Sequence, residues 1–130
     1  TDLIIKILHR ERPDLIILAG FLLKFPENIL AIFSNKVINI HPALLPKYGG
    51  KGMYGVHVHE KVIANCEKET GITIHYVNKN YDEGAIIFQK SFLLLQNETA
   101  TSLADKIHDL EYKYFPRVIE QLLTSKVKIN

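Results

Sequence analysis

Two residues that could do chemistry stand two positions apart at the end of an apolar segment. The segment reads INIHPALLP, and Asn39 and His41 occupy positions i and i+2 within it. In an extended backbone this spacing places both side chains on one face. An amide can donate a hydrogen bond to a developing oxyanion, and an imidazole can move a proton near neutral pH or stabilise negative charge. The spacing therefore indicates a candidate catalytic pair.

A carboxylate further along the chain could complete this pair. Asp82 lies in the segment NKNYDEG, which follows a β-branched and aromatic run. A carboxylate beside an imidazole can hold it in one orientation and favour its protonated form. Together, Asn39, His41 and Asp82 predict a site for the transfer of an acyl-type group to an amine. Taken alone, Asn-x-His-Pro also fits a structural interpretation, in which Asn39 caps a turn and His41 fills a strand end, because short patterns of this kind are common.

The elements that must position these residues alternate between helix and strand in the first half of the chain. Apolar spacing predicts helices over residues 3–10, 25–34 and 58–66, and a long helix from about residue 102. Apolar or β-branched runs predict strands over residues 14–20, 36–40, 71–77 and 85–95. This alternation favours an α/β fold with an open, mostly parallel sheet flanked by helices.

The C-terminal half departs from simple alternation. Its two strands are consecutive and predict an antiparallel, hairpin-like connection through NKNYDEG. A long terminal helix follows, in which Ser102 and Asp105 resemble a capping box. Pro116 is expected to kink or interrupt this helix, because proline lacks an N–H group and its ring clashes with the preceding turn.

Three strand ends carry groups that could meet around a ligand. In open parallel sheets, ligands bind beyond the carboxyl ends of the strands. The first predicted strand ends at residues 19–21, the second ends at residues 39–41, and the loop after the third holds Asp82 and Glu83. We expect these strand ends to converge on one crevice.

The composition is that of an ordinary soluble domain and limits the function classes. The chain has 130 residues, 47% of them hydrophobic and 23% charged, so residues 1–130 are predicted to form one domain. A formal charge of +2 gives no electrostatic reason to expect nucleic acid or an anionic membrane as a partner. Because Cys66 is the only cysteine, no internal disulfide can form, which favours a reducing, cytoplasmic location. No apolar run approaches the length of a membrane span.

Longer stretches of the sequence resemble a known family. NIHPALLPKYGGKG, HVHE, GITIHYVNKNYDEGAII and LEYKYFP are similar to motifs of the folate-dependent formyltransferases, and specifically to the branch that acts on glycinamide ribonucleotide. The similarity runs from LIILAGF to the terminal helix and so covers most of the chain. It implies a Rossmann-like formyltransferase domain that transfers a formyl group from 10-formyltetrahydrofolate to the amine of glycinamide ribonucleotide in purine synthesis. The implied partners are these small molecules, and a homodimer is left open.

The resemblance assigns catalytic roles residue by residue. It implies that Asn39 hydrogen-bonds the formyl oxygen as the tetrahedral intermediate forms. It implies that His41 stabilises that oxyanion and assists proton movement. Asp82 would pair with His41 and help to move the proton from the attacking amine to the folate nitrogen.

The resemblance also implies binding residues. Glu111 would contact the ribonucleotide substrate, His108 lies one turn away and could face it, and His57 would have a supporting role. The implied folate-binding residues are apolar walls and a loop that binds the pteridine ring through its backbone, namely Leu22, Leu23, Leu30, Asn78, Lys79, Asn80 and Tyr81. The H-x-H pair of His57 and His59 can suggest a metal, but the family uses none and no cysteine or carboxylate cluster supports a site.

Two departures from the family pattern affect these expectations. Where the family usually has Asp-Gly-Gly, this chain has Asp82-Glu83-Gly84, so we expect a slightly different turn with Asp82 unaffected. The family begins with a strand and a glycine-rich loop that binds the substrate phosphate, and we expect that portion to be missing here. The segment GGKG is not predicted to replace it, because it lacks the context of a strand, a loop and a helix.

The alternatives left open are a different member of the same family and a protein of another class. A relative could act on methionyl-tRNA or a sugar nucleotide, or could use water as a formyltetrahydrofolate deformylase does. The tRNA enzymes carry an extra basic domain, for which this chain has neither the length nor the charge. The chain could also be an inactive fragment that binds folate and catalyses nothing.

Overall fold

The computed structural model of the chain describes residues 2–18, 25–80 and 82–129. Its helices are α1 (Asp2–Glu11), α2 (Glu27–Ile32), α3 (Val56–Ala64) and α4 (Ala100–Ile129). Its strands are β1 (Ile16–Leu18), β2 (Val37–His41), β3 (Glu69–Tyr76) and β4 (Ile86–Leu93). Each element predicted from the sequence therefore has a counterpart, with its ends displaced by a few residues.

The strands form one mixed sheet in the order β1-β2-β3-β4. β1 pairs with β2 in parallel, whereas β3 is antiparallel to both β2 and β4. The predicted α/β class, the antiparallel C-terminal strand and the long terminal helix are confirmed. The sheet is mixed rather than mostly parallel. In a parallel arrangement, α3 would lead the chain back so that β3 started beside the beginning of β2, and this does not happen. β3 instead passes beside the carboxyl end of β2, where Thr73 lies opposite His41.

The main hydrophobic core lies between the sheet and the helices α3 and α4. Val58 and Val62 project from α3 at helical spacing, and Leu103 and Ile107 project from α4 in the same way. All four side chains are fully buried and pack in one cluster with Ile72 of β3. This packing fixes both helices beside the strand that neighbours β2.

A second, smaller core lies under α2. It consists of Ile29, Phe33 and Val37, with Ile5 and Leu8 of α1 packed against it. β2 contributes Val37 to this cluster, while Ile40 packs against the main core. Because both cores hold β2, the end of this strand has a fixed position.

The terminal helix begins earlier than predicted. A reciprocal cap forms at Thr99 and Ser102, where each backbone N–H donates to the other residue's hydroxyl oxygen, at 3.0 and 3.1 Å. The predicted capping box at Ser102 and Asp105 is therefore wrong, because the observed cap lies three residues earlier, at Thr99 and Ser102. α4 also continues through Pro116, with Val118 buried two residues later, so the proline does not end the helix. Within the described ranges, no helix is long and apolar enough to cross a membrane.

Candidate active site

The carboxyl end of β2 opens into a cavity of about 750 Å³. The opposite wall is formed by one face of α4, and a third side is formed by the loop of residues 50–55 and the start of α3. Asn39 and His41 line the cavity from β2, and Asp82 lines it from the loop that follows β3. The three residues singled out from their chemistry are thus brought to one place.

Asp82 reaches this cavity although β3 leads away from it. β3 runs antiparallel to β2, so its carboxyl end lies beside the beginning of β2, with Tyr76 opposite Ile38. Asp82 comes back towards the end of β2, where its Oδ2 accepts a hydrogen bond from the Gly50 N–H at 2.9 Å. The expectation that strand ends converge through parallel pairing is wrong for this strand, and the loop makes the convergence instead.

Backbone conformation explains the departure at Asp82-Glu83-Gly84. Asp82 has φ of +52°, a left-handed conformation that aspartate tolerates better than most residues with a side chain. A Cβ atom at Gly84 would collide with the carbonyl oxygen of Tyr76, so that position requires glycine. Glu83 occupies the remaining position, where the side chain is exposed.

His41 is buried between a carbonyl oxygen and a carboxylate. Its Nε2 lies 2.6 Å from the carbonyl oxygen of Tyr48 and must donate to it, since a carbonyl oxygen can only accept. Its Nδ1 lies 3.5 Å from Oδ1 of Asp82. Burial lowers the pKa of His41 below its ordinary value, and Asp82 and the Tyr48 carbonyl oppose this only in part. Asp82 raises the pKa of His41, as expected, but the loss of hydration on burial lowers that pKa by more.

His75 is the residue that orients Asn39. The two side chains face each other across β2 and β3, with Nδ2 of Asn39 lying 3.3 Å from Nε2 of His75. Nδ1 of His75 lies 2.9 Å from its neighbour's carbonyl oxygen and therefore carries the proton. Nε2 is then the acceptor for the amide N–H of Asn39. No local pattern in the sequence joins His75 to Asn39, and only the register of β2 and β3 reveals their contact.

The face of α4 supplies a second polar pair. His108 and Glu111 both line the cavity, and Nδ1 of His108 lies 2.8 Å from Oε1 of Glu111. Tyr112 and Phe115 lie on the same wall, so this face combines a hydrogen-bonded polar pair with aromatic surface. Both substrate-facing residues implied by the resemblance thus lie on the cavity that holds His41.

The two histidines of the H-x-H pair have different surroundings. His57 is exposed on α3 and contacts Tyr54 edge-on at 5.7 Å, and it does not line the cavity. His59 lines the cavity and is only 4% exposed. Burial is the main cause that lowers the pKa of His59, with smaller contributions from His108 and His41. Among the described residues, no group of three or more histidine, cysteine or acidic side chains is placed to hold a metal.

Those of the implied folate-binding residues that the structure describes do not line this cavity. Leu30 packs against the second core, and Asn78, Lys79 and Asn80 are exposed in the turn after β3. That turn is closed by Oδ1 of Asn78, which accepts from the Asn80 N–H at 2.9 Å. Leu22, Leu23 and Tyr81 lie outside the described residues.

Comparison with protein families matches residues 2–119 to the formyl transferase family. The chain belongs to this family. It is 35% identical over 125 residues to the chloroplastic phosphoribosylglycinamide formyltransferase of Arabidopsis thaliana, which covers 96% of this chain and 43% of that protein. It is 38% identical over 120 residues to the Bacillus subtilis phosphoribosylglycinamide formyltransferase, covering 92% of this chain and 59% of that one. These matches confirm the resemblance seen in the sequence, although the chain spans about half the length of these two relatives.

Solved structures agree with this membership. The phosphoribosylglycinamide formyltransferase of Anaplasma phagocytophilum superimposes with a TM-score of 0.86 at 34% identity, covering 96% of this chain and 59% of that one. A formyltetrahydrofolate deformylase from Pseudomonas syringae has a TM-score of 0.79 at 22% identity, covering 91% of this chain and 38% of that one. The deformylase therefore shares the fold, while the named formyltransferases are the nearer of these relatives in sequence.

Proposed function

We propose that this formyl transferase domain carries the catalytic residues for moving a formyl group from 10-formyltetrahydrofolate to the amine of glycinamide ribonucleotide. The observation that carries the proposal is the convergence of Asn39, His41 and Asp82 on one cavity. The names of the relatives in plants and bacteria support the choice of substrate. In this role the chain would act in purine synthesis, in the cytoplasm.

The proposed step exchanges one carbon–nitrogen bond for another. The substrate amine attacks the formyl carbon, the carbonyl electrons move to the oxygen, and the bond to the folate nitrogen then breaks. One proton leaves the attacking nitrogen and one is delivered to the departing folate nitrogen. Two tasks therefore fall to the protein, namely stabilising the oxyanion and moving a proton.

Asn39 is suited to the first task. One N–H of its amide is held by His75 at 3.3 Å, which fixes the plane of the amide before substrate arrives. The second N–H then remains to donate to the formyl oxygen as negative charge develops there. Donors fixed in advance are effective because they do not have to reorganise during the reaction.

His41 and Asp82 are suited to the second task. The lowered pKa of His41 indicates that the resting imidazole is neutral, with its proton on Nε2 directed at Tyr48. Nδ1 is then able to take a proton, and the cation so formed lies 3.5 Å from the Asp82 carboxylate. Asp82 in turn is held by the Gly50 N–H, so the pair is positioned from both sides.

The proposed binding residues form two sets, one for each substrate. Glu111 and His108, on the opposite wall, would face the glycinamide or ribose end of the ribonucleotide. Leu22, Leu23, Leu30 and residues 78–81 would form the folate site, as the resemblance implies. His57 would act only through the loop that it contacts at Tyr54. A homodimer is open, and no nucleic acid, membrane or metal partner is part of the proposal.

Two measurements on the 130-residue chain test this function. Calorimetry with a 10-formyltetrahydrofolate analogue measures folate binding, and a kinetic assay follows formyl transfer with and without glycinamide ribonucleotide. The proposal predicts binding and a transfer that requires the ribonucleotide. Release of formate to water in its absence would indicate a deformylase. Binding without turnover would indicate an inactive folate-binding fragment, and either result would overturn the proposal.

A further inference from the structure

The first half of the connection between β2 and α3 curls back onto His41. The connection spans residues 42–55 and includes GGKG, so that segment does lie between a strand and a helix, contrary to the expectation from the sequence. Seven residues after His41, the carbonyl oxygen of Tyr48 returns to within 2.6 Å of the His41 Nε2. The position of this loop therefore decides whether that nitrogen has a close acceptor.

A row of facing side chains crosses the sheet from the candidate site. His41 of β2 lies opposite Thr73 of β3, and Thr73 lies opposite Gln89 of β4. Residues directly opposite each other in antiparallel strands share one face of the sheet. Thr73 and Gln89 do not line the cavity. The row therefore leads from His41 to two polar side chains outside the cavity.

Thr73 and Gln89 together hold the backbone of the loop around Leu45. The Thr73 hydroxyl donates to the Ala43 carbonyl oxygen at 2.7 Å and accepts from the Leu45 N–H at 3.0 Å. Nε2 of Gln89 donates to the same hydroxyl and to the Leu45 carbonyl oxygen, each at 3.0 Å. Because a hydroxyl has one hydrogen and two lone pairs, and an amide nitrogen has two hydrogens, every one of these groups is used. We call this pair the Thr73–Gln89 clamp.

The far end of the loop is held in the main core. The side chain of Tyr48 is buried in one cluster with Val58 and Val62 of α3. Its hydroxyl oxygen accepts a hydrogen bond from Nδ2 of Asn65 at 3.0 Å. The loop of residues 42–48 is thus fixed near both ends, and the Tyr48 carbonyl has a defined place beside His41.

Two acceptors compete for the single proton of the neutral His41 ring. Nε2 lies 2.6 Å from the Tyr48 carbonyl oxygen, whereas Nδ1 lies 3.5 Å from Oδ1 of Asp82. A neutral imidazole carries its proton on one nitrogen and accepts with the other, so only one of these contacts can use it. The shorter contact favours the proton on Nε2. If the carbonyl moved away, the proton would shift to Nδ1 and face the Asp82 carboxylate.

We propose that Gln89 and Thr73 are positioning residues that select the Nε2-protonated form of His41 by holding the loop of residues 42–48. They act through the backbone around Leu45 and the Tyr48 carbonyl, not by touching a substrate. The inference rests on the proposed function, in which Nδ1 of His41 takes a proton during formyl transfer. It adds that this nitrogen is kept free by residues on the two neighbouring strands.

The test reads the protonation of His41 directly. Nitrogen-15 NMR of the histidine rings shows which nitrogen carries the proton, and it is recorded on the 130-residue chain without substrate at about pH 8, above the ordinary pKa of histidine. The unmodified chain should have its His41 proton on Nε2. Gln89→Met removes both N–H donors but keeps the length of the side chain, and a measurable fraction of His41 should then carry its proton on Nδ1.

Matched variants separate the clamp from a general effect of substitution. Gln96→Met makes the same change at an exposed turn after β4 and should leave His41 as it is in the unmodified chain. Thr73→Ser keeps the hydroxyl and should also retain the Nε2-protonated form, whereas Thr73→Val removes the hydroxyl and should shift the proton. Thr73 is fully buried, so circular dichroism checks that its variants fold. If Thr73→Val does not fold, the exposed Gln89 decides the question through Gln89→Met.

Kinetics provide a second readout for Gln89. Gln89→Met should lower the turnover of formyl transfer about tenfold and leave the KM values nearly unchanged, because the proton-accepting group is misplaced while the binding residues are not. Gln96→Met should turn over as the unmodified chain does. A shifted proton with unchanged turnover would overturn the positioning role of Gln89.

Two NMR results would overturn the clamp. One is an unmodified chain whose His41 carries its proton on Nδ1. The other is a folded Gln89→Met or Thr73→Val chain in which the proton stays entirely on Nε2. The NMR measurement needs no substrate, so it decides the role of the clamp even if the chain transfers no formyl group, and the failure of either proposal can be recognised separately.

Discussion

The Asp82 carboxylate faces Nδ1 of His41 across 3.5 Å, although the strand before Asp82 runs antiparallel to the strand that carries His41. The contact depends on the loop between β3 and β4. Asp82 takes a left-handed conformation there and is tied to the Gly50 N–H. One carboxylate therefore joins three separate segments, namely the end of β2, the glycine-rich loop and the β3–β4 connection.

Replacing Asp82 by asparagine should lower the pKa of His41 further. The carboxylate raises this pKa against the effect of burial, so its loss leaves burial unopposed. Asparagine also tolerates a positive φ, which keeps the loop conformation accessible. NMR titration of the His41 ring protons measures the effect. Glu83→Gln, which removes a neighbouring exposed charge, is the control and should leave His41 unchanged; an identical His41 titration in Asp82→Asn would contradict the pairing.

His75 should affect turnover through Asn39. His75→Leu removes the acceptor that orients the amide, and misplacement of a catalytic group can reduce turnover by about 10²-fold. In an Asn39→Ala background the same substitution should have little further effect, because the amide is already absent. Thr70→Val, a buried polar change on the same strand, is the control. Independent losses that multiply in the double variant would show that His75 does not act through Asn39.

Stability should fall as the pH drops below about 6.5. The pKa values of His41 and His59 are lower in the folded chain than the unfolded value of about 6.5. Below that pH the unfolded chain binds more protons than the folded chain, so acidification favours unfolding. Urea denaturation at about pH 7.5 and about pH 5.5 measures the difference in the free energy of unfolding.

The variant His59→Leu tests how much of this pH dependence of stability comes from His59. His59→Leu should show a smaller loss of stability between the two pH values than the unmodified chain, whereas His9→Leu, which changes an exposed histidine of α1, should match the unmodified chain. Stability that stays constant or increases on acidification over this range would contradict the assignment of neutral, buried histidines.

The amino terminus of α4 should depend on Thr99. Thr99→Ala removes one half of the reciprocal cap with Ser102 and should reduce the free energy of unfolding by about 1 kcal/mol. Thr124→Ala, at an exposed position further along α4, is the control, because it changes the same residue type away from the cap. If the two variants are equally stable, the cap lies elsewhere.

Much of the fold and of the candidate site could be predicted from local sequence. The spacing of apolar residues located the helices and strands, and the i, i+2 relation of Asn39 and His41 placed both on the cavity. These features depend on neighbouring residues in the chain, which the sequence displays directly. The family resemblance added Glu111 and His108, whose positions on α4 no local pattern distinguishes from an ordinary exposed helix face.

The remaining features depend on pairing between distant segments. The antiparallel course of β3 follows from where α3 delivers the chain, and helical spacing contains no information about this. The contact between Asn39 and His75 depends on the register of that pair of strands. The choice of His59 over His57 as the cavity residue depends on which face of α3 meets α4, and both histidines look alike in an H-x-H pattern.

The most direct test of the catalytic assignment compares Asn39→Ala with Asn97→Ala, a control at an exposed turn. Formyl transfer to glycinamide ribonucleotide is measured for both variants, and calorimetry gives their affinity for a 10-formyltetrahydrofolate analogue. We predict that Asn39→Ala lowers turnover by about 10²-fold or more, because one oxyanion donor is lost, and leaves folate affinity nearly unchanged. An equal loss of turnover and affinity, or turnover equal to that of Asn97→Ala, would contradict the account.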